Sequence, residues 1–194
     1  MIRTQGRASA RGFSLLELLI VVVIALVVAV IAIPRLMTST EAFKLRSTAS
    51  SVSGLVQKAR MLAVARNALV PVLTTGSGSN IYAFVDADNS GSMNSTAEGT
   101  SILMPGTIVF DPNGAHPSDA TILNGLTAVR SLPRFNPRGL PCFLSSGVCQ
   151  VNSGNMYITF LRQDRTLGAT GWAAINVTPA GRVQVWTWDG NRWE

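Results

Sequence analysis

The rhythm of hydrophobic positions changes twice along the chain. From residue 13 to residue 33 nearly every position is apolar, and Glu17 is the only charge. In helical form that run spans roughly 30 Å, about the hydrocarbon thickness of a bilayer. Over residues 36–66 a helical period replaces it. Val52, Leu55, Val56, Ala59, Leu62 and Ala63 recur at spacings of three and four, and Ser53, Gln57 and Arg60 are expected to face away. Gly54 and the serines around it lower intrinsic helix propensity, so packing on another layer must hold this half. Pro34 stands between the two patterns, lacks a backbone donor, and predicts a kink or boundary there.

Beyond Leu69 the period shortens to that of strands. Residues 70–74 and 81–85 are β-rich runs around a Gly/Ser turn and read as a hairpin. Residues 102–104, 107–110, 156–160, 172–177 and 182–186 continue the pattern. The stretch 111–155 is rich in Pro, Gly, Asn and Ser, which predicts mostly loop with one or two edge strands. A helix followed by strands is an α+β arrangement: one long helix, membrane-spanning and then amphipathic, packed on an antiparallel β-sheet. The predicted organisation is a leader over 1–12, a spanning helix over 13–34, an amphipathic helix over 35–68 and a β-rich domain over 69–194.

Charge changes the picture at the N-terminus. Arg3, Arg7 and Arg11 precede the apolar run with no acid among them, the bias of a cytoplasmic N-terminus. All ten acids lie after Gly12, so loss of the leader lowers the formal balance from +6 to about +3. Glu17 does not suit a plain anchor, because a carboxylate within a spanning segment costs on the order of 2.5–3.5 kcal/mol. Cleavage after Gly12 would give Phe13 a free α-amine, and Glu17 of a neighbouring subunit could pair with that cation. The alternative is a hydrated or protonated Glu near the membrane surface. An ordinary secretory signal is the competing reading of the whole segment. The apolar run is too long for it, and an acid inside the apolar core is unusual in it.

Residues 11–19, Arg-Gly-Phe-Ser-Leu-Leu-Glu-Leu-Leu, resemble the class III signal of type IV prepilins and type II secretion pseudopilins. The resemblance implies cleavage between Gly12 and Phe13 by a prepilin peptidase, N-methylation of Phe13, and a role for Glu17 in docking into a filament. It also implies a helix kink at Pro34, which falls at the family's proline position. Four further stretches resemble secretion pseudopilin H and the minor pilin FimT. They are Gln57-Lys58-Ala59-Arg60 with Ala65-Arg66-Asn67, the turn Val85-Asp86-Ala87-Asp88-Asn89-Ser90-Gly91, Phe135-Asn136-Pro137-Arg138-Gly139, and Pro179-Ala180-Gly181-Arg182-Val183. That likeness implies a pilin fold and a low-abundance subunit at or near a filament tip. Its partners would be other pilins, the prepilin peptidase and an inner-membrane assembly platform. Its location would be the bacterial inner membrane, with the β domain periplasmic, and then the filament.

Other chemistry is sparse. Asp86 and Asp88 open a stretch like the start of a calcium loop, but the twelfth place is Ala97, with Glu98 one residue late; a β-turn accounts for the same residues. No other cofactor is expected. Cys142 and Cys149, separated by six residues, are expected to oxidise outside the cytoplasm and to contribute roughly 2–3 kcal/mol by closing a short loop. Two free thiols are the alternative. Metal binding lacks partners, since the one histidine, His116, sits in a Pro/Gly-rich loop. Asp111 and Asp119 read as turn and cap residues rather than a catalytic pair. No nucleophile elbow or phosphate-cradling loop is present, which speaks against an enzyme. Nucleic acid is the rival partner: some FimT-like pilins bind DNA through a Gly-Arg-x-Arg tail, matched here by Gly181-Arg182 without the second arginine. Arg182, Arg192, Trp186, Trp188 and Trp193, with Arg130, Arg134 and Arg138, would supply cations and stacking rings. Inward-packed aromatics and solvated arginines are the plainer reading.

Overall fold

One helix dominates the computed structural model, which describes residues 14–77, 80–93, 101–111, 114–165 and 168–194. Helix α1 (Leu15–Arg66) has 52 residues, a length of about 78 Å. It runs through Pro34 without interruption, so the boundary expected there is absent. A single proline removes one amide from the ladder, and the turns beyond it are tied by hydroxyls. Thr38 and Ser39 donate to the Arg35 carbonyl at 2.9 and 3.0 Å. The helix ends at Asn67, whose left-handed backbone (φ 50°, ψ 41°) turns its N–H back toward the Ala63 and Val64 carbonyls.

Two sheets complete the fold. β1 (Val70–Ser77) and β2 (Asn80–Val85) form the expected hairpin, in register from Val72 opposite Val85 to Ser77 opposite Asn80. β3 (Ser101–Leu103) pairs with β2. β4 (Ile108–Phe110) joins the other sheet, which is built on β9 (Asn155–Gln163), β10 (Gly171–Val177) and β11 (Val183–Thr187). The stretch expected to be mostly loop is more ordered than its composition suggests. It contains a helical turn, α2 (Ala120–Leu123), and four short strands: β5 (Thr127–Val129), β6 (Arg134–Phe135), β7 (Pro141–Ser145) and β8 (Val148–Gln150). β6 is interior, not an edge, in the order β3-β2-β1-β6-β7-β8. β5 pairs parallel with β9, the one departure from antiparallel pairing among the described strands. Strands of two to five residues carry too little periodicity to stand out against turn residues.

The second half of α1 lies across both sheets. Val52, Val56, Ala59 and Ala63 have no exposed surface. They pack with Val70, Val85, Phe135, Leu161 and Ile175 in the main core. Burial of each such valine or isoleucine contributes about 1.5–3 kcal/mol. The expected apolar stripe is present, with Leu62 half-buried. Two of the three residues expected to face away do not: Ser53 is buried and Arg60 turns inward to the loops. β9 serves two cores. Tyr157 and Leu161 face α1, while Met156, Ile158 and Phe160 face a second cluster with Ile122, Trp172, Ala174 and Trp193. This is the period-2 alternation of a strand buried on both sides.

Candidate functional site

The first half of α1 is covered by no other element among the described residues. Leu15, Val23, Leu26, Val30 and Ile33 are 51 to 82% exposed, and no described residue before Leu45 enters either core. This is one helix long and apolar enough to cross a membrane. Val28, Ile31, Ala32, Leu36, Arg35 and Ser39 line a shallow trough along it, suited to another helix or to lipid chains. Glu17 stands exposed in the first turn, the only acid there, next to a ladder start in which Leu18 donates to the Ser14 carbonyl at 3.1 Å. An acid in the first turn faces the positive end of the helix dipole. Gly12 and Phe13 lie outside the described residues.

The other end of the helix is pinned to the β domain by two arginines. Arg60 donates from Nε to the Gly139 carbonyl at 3.0 Å, from Nη1 to the Gly181 carbonyl at 2.9 Å, and from Nη2 to the Ala180 carbonyl at 3.5 Å. One guanidinium fork thus holds two loops against the helix. Both loops reach it because Gly139 (φ +71°) and Gly181 (φ +79°) adopt left-handed backbone. A Cβ at Gly181 would meet the Gly139 carbonyl oxygen at 2.7 Å. Arg66 donates to the Ala87 carbonyl at 2.9 Å, and Asn89 donates to the Leu69 carbonyl at 2.7 Å. The four motif stretches singled out in the sequence therefore meet, as locks between helix and sheets. Arg60, like Ser53, is placed differently from the expectation, and it is the one that builds this joint. An arginine on a helix next to an apolar stripe, with glycine-centred turns later in the chain, is the signal that could have found it.

The remaining candidates are structurally engaged. Asp86 is buried, and its two carboxylate oxygens accept from Ser90 N and Gly91 N, each at 3.0 Å. Asp88 also accepts from Ser90 N, at 3.1 Å. Hydrogen bonds from Ser90, side chain first and backbone second, hold the Asp88 carboxyl below its usual range. This is the geometry of an Asx turn. Ala97 and Glu98, the far end of the calcium pattern, lie outside the described residues. No cluster of three metal-ligating side chains occurs among the described residues.

Cys142 and Cys149 form a disulfide with Cα atoms 5.4 Å apart, stapling the β7–β8 hairpin at the edge of the six-stranded sheet. Asp111 pairs with Arg162 at 3.2 Å and Asp119 with Arg130 at 3.0 Å, so the two carboxylates hold separate arginines. His116 stacks on Phe160 with ring centroids 4.0 Å apart, and its Nδ1 lies 2.9 Å from the Pro117 carbonyl.

The C-terminal rings point inward. Trp193 is buried and donates to the Ser118 carbonyl at 2.8 Å, and Trp188 meets it edge-on at 5.3 Å. Trp186 is half-buried and donates to Asn176 Oδ1 at 3.2 Å. Arg182 and Arg192 stay exposed, and Arg192 pairs with Asp189 at 3.7 Å. Backbone amides of Arg192 and Asn191 keep the Asp189 carboxyl below its usual range. The arrangement closes the second core and leaves Trp193 no free face for base stacking.

Residues 7–33 match the family model described as the prokaryotic N-terminal methylation motif. Neither a curated protein nor a solved structure matches the chain. The matched segment carries Gly12, Phe13 and Glu17, and with the apolar helix it supports a type IV pilin-like or pseudopilin subunit, anchored in a membrane.

Proposed function

We propose that this chain is a minor pilin or pseudopilin: a structural subunit of a type II secretion pseudopilus or type IV pilus, of the H/FimT kind, acting in filament initiation or at the tip. The observation that carries the reading is an apolar half-helix that no other described element covers, bearing one acid in its first turn and continuous with a half bonded to a β domain. Such a surface suits lipid before assembly and other helices after it. The chain inserts with its N-terminus cytoplasmic and its β domain periplasmic. Prepilin peptidase cuts after Gly12, Phe13 is methylated, and the subunit leaves the membrane through the assembly platform. Glu17 then neutralises the α-amine of a neighbour's Phe13, a pairing favoured in the low dielectric of a helix bundle.

Two measurements test this. N-terminal sequencing of membrane-extracted protein from a host with the peptidase should give methylated Phe13 as the first residue. Glu17→Ala should still be cut but should lose incorporation into sheared filaments by about tenfold or more, equivalent to about 1.4 kcal/mol. An uncut leader, or wild-type incorporation of Glu17→Ala, would end the proposal.

A further inference from the structure

A cleft of about 370 Å³ opens between the two sheets. That is the size of a small ligand pocket or of a few residues of extended chain. One wall is Val72, Leu73 and Thr74 of β1. The other is Phe110 of β4 and Thr159 of β9, and the connection carrying Arg130, Leu132 and Arg134 closes one end.

Two features of this cleft converge. The first is an open strand edge. β1 pairs with β6 only at Val70 and Pro71, and Val72 then donates to the Pro133 carbonyl at 3.1 Å. Strand groups alternate in direction, so Thr74, two residues on, presents its N–H and C=O toward the cleft. No described residue bonds to them there. The second is charge: the lining has two arginines and no acid. Arg130 is held by Asp119, but the Arg134 side chain has no ion pair or hydrogen bond among the described residues. Apolar walls with an open strand edge and an unpaired guanidinium are the elements of main-chain peptide recognition.

We propose that this cleft binds an extended segment of a second protein, which adds beside β1 at Thr74 and places a carboxylate side chain on Arg134. The claim goes beyond the filament role and does not depend on it. Full-length protein in detergent micelles is titrated against a fluorescein-labelled, end-blocked peptide of alternating Val and Thr with one central Glu, read by anisotropy. The expected result is binding below about 1 mM, at least about tenfold tighter than the Gln analogue. Arg134→Gln should erase the Glu preference while leaving the circular dichroism melt intact, and Arg130→Gln should lower affinity less. An analogue N-methylated on alternate residues should bind at least about fivefold more weakly, because it cannot pair along the strand edge; this needs no change to the protein. No binding, equal affinity for the Glu and Gln peptides, or full competition by hexanoate would overturn the proposal. So would self-association of the chain alone that Arg134→Gln abolishes, since that assigns the cleft to a second copy.

Discussion

Val23 and Val56 lie on one continuous helix and differ in what stands beside them: Val23 is 51% exposed and Val56 has no exposed surface. The first half of α1 is held as a helix by its backbone ladder and contributes no side chain to either core. The second half is held by side chains from both sheets, in spite of Gly54 and its serines. One element thus answers to two environments, and mutations on it should separate into two phenotypes. Val56→Asp should cost about 4 kcal/mol or more, because it places an unpaired carboxylate in the main core. The β domain should then fail to melt cooperatively by circular dichroism in detergent. Val23→Asp should leave that melt within about 0.5 kcal/mol of wild type, yet impair membrane insertion by on the order of 2.5–3.5 kcal/mol. A destabilised melt for Val23→Asp would erase the distinction between the halves.

A smaller effect tests the joint that makes the comparison matter. An exposed half-helix can transmit position to the β domain only if the buried half is fixed to it, and Arg60 is the side chain that fixes the Gly139 and Gly181 loops to α1. Arg60→Ala should cost about 1.5–3 kcal/mol, the range for hydrogen bonds with one charged partner. Amide exchange should quicken around residues 139 and 181 first. Arg60→Lys keeps the charge but not the fork, and should recover less than half of the loss. Unchanged exchange in Arg60→Ala would place the joint elsewhere, in the Arg66 and Asn89 contacts with Ala87 and Leu69.

How much of this was legible in the sequence depends on the range of each interaction. The 13–33 run, the 52–63 stripe and the long strands β1, β2, β9, β10 and β11 are repeats of side chains against one environment, and periodicity reports them directly. β6 is two residues long, and its interior place depends on Pro71 and Cys142 lying on either side of it, a long-range fact that no local pattern holds. Ser53 is buried because two sheets, not one, cover the helix, which widens the buried arc beyond the apolar stripe. The candidate site divides the same way. Glu17 stands out as a charge in an apolar run. The partners of Arg60 lie 79 and 121 residues away, so only the fold brings them together. The aromatic C-terminus was ambiguous because inward packing and base stacking demand the same residue types.

The smallest effect concerns the other side of the joint, where the two sheets part. Tyr157 is 4% exposed, and burial is the main cause that pushes its hydroxyl from 10.0 up to about 12, against a lesser pull downward from Arg134. Tyrosine is neutral when protonated, so the fold favours the protonated form. Below pH 10 both states hold the proton and Tyr157 adds no pH dependence. Between pH 10 and about 12 the unfolded chain gives up its proton while the folded chain keeps it, and stability falls as pH rises. Two pK units bound the loss at about 2.7 kcal/mol, and solvent reaching the cleft should make it smaller. Tyr157→Phe removes this slope and leaves that of every other group, so the measurement is the difference in urea midpoint between the two proteins across that window. If the difference stays flat, the hydroxyl is hydrated in both states and the cleft reaches it as a wet channel. If wild type loses ground to Tyr157→Phe as pH rises, the hydroxyl belongs to the dry interior between α1 and the sheets.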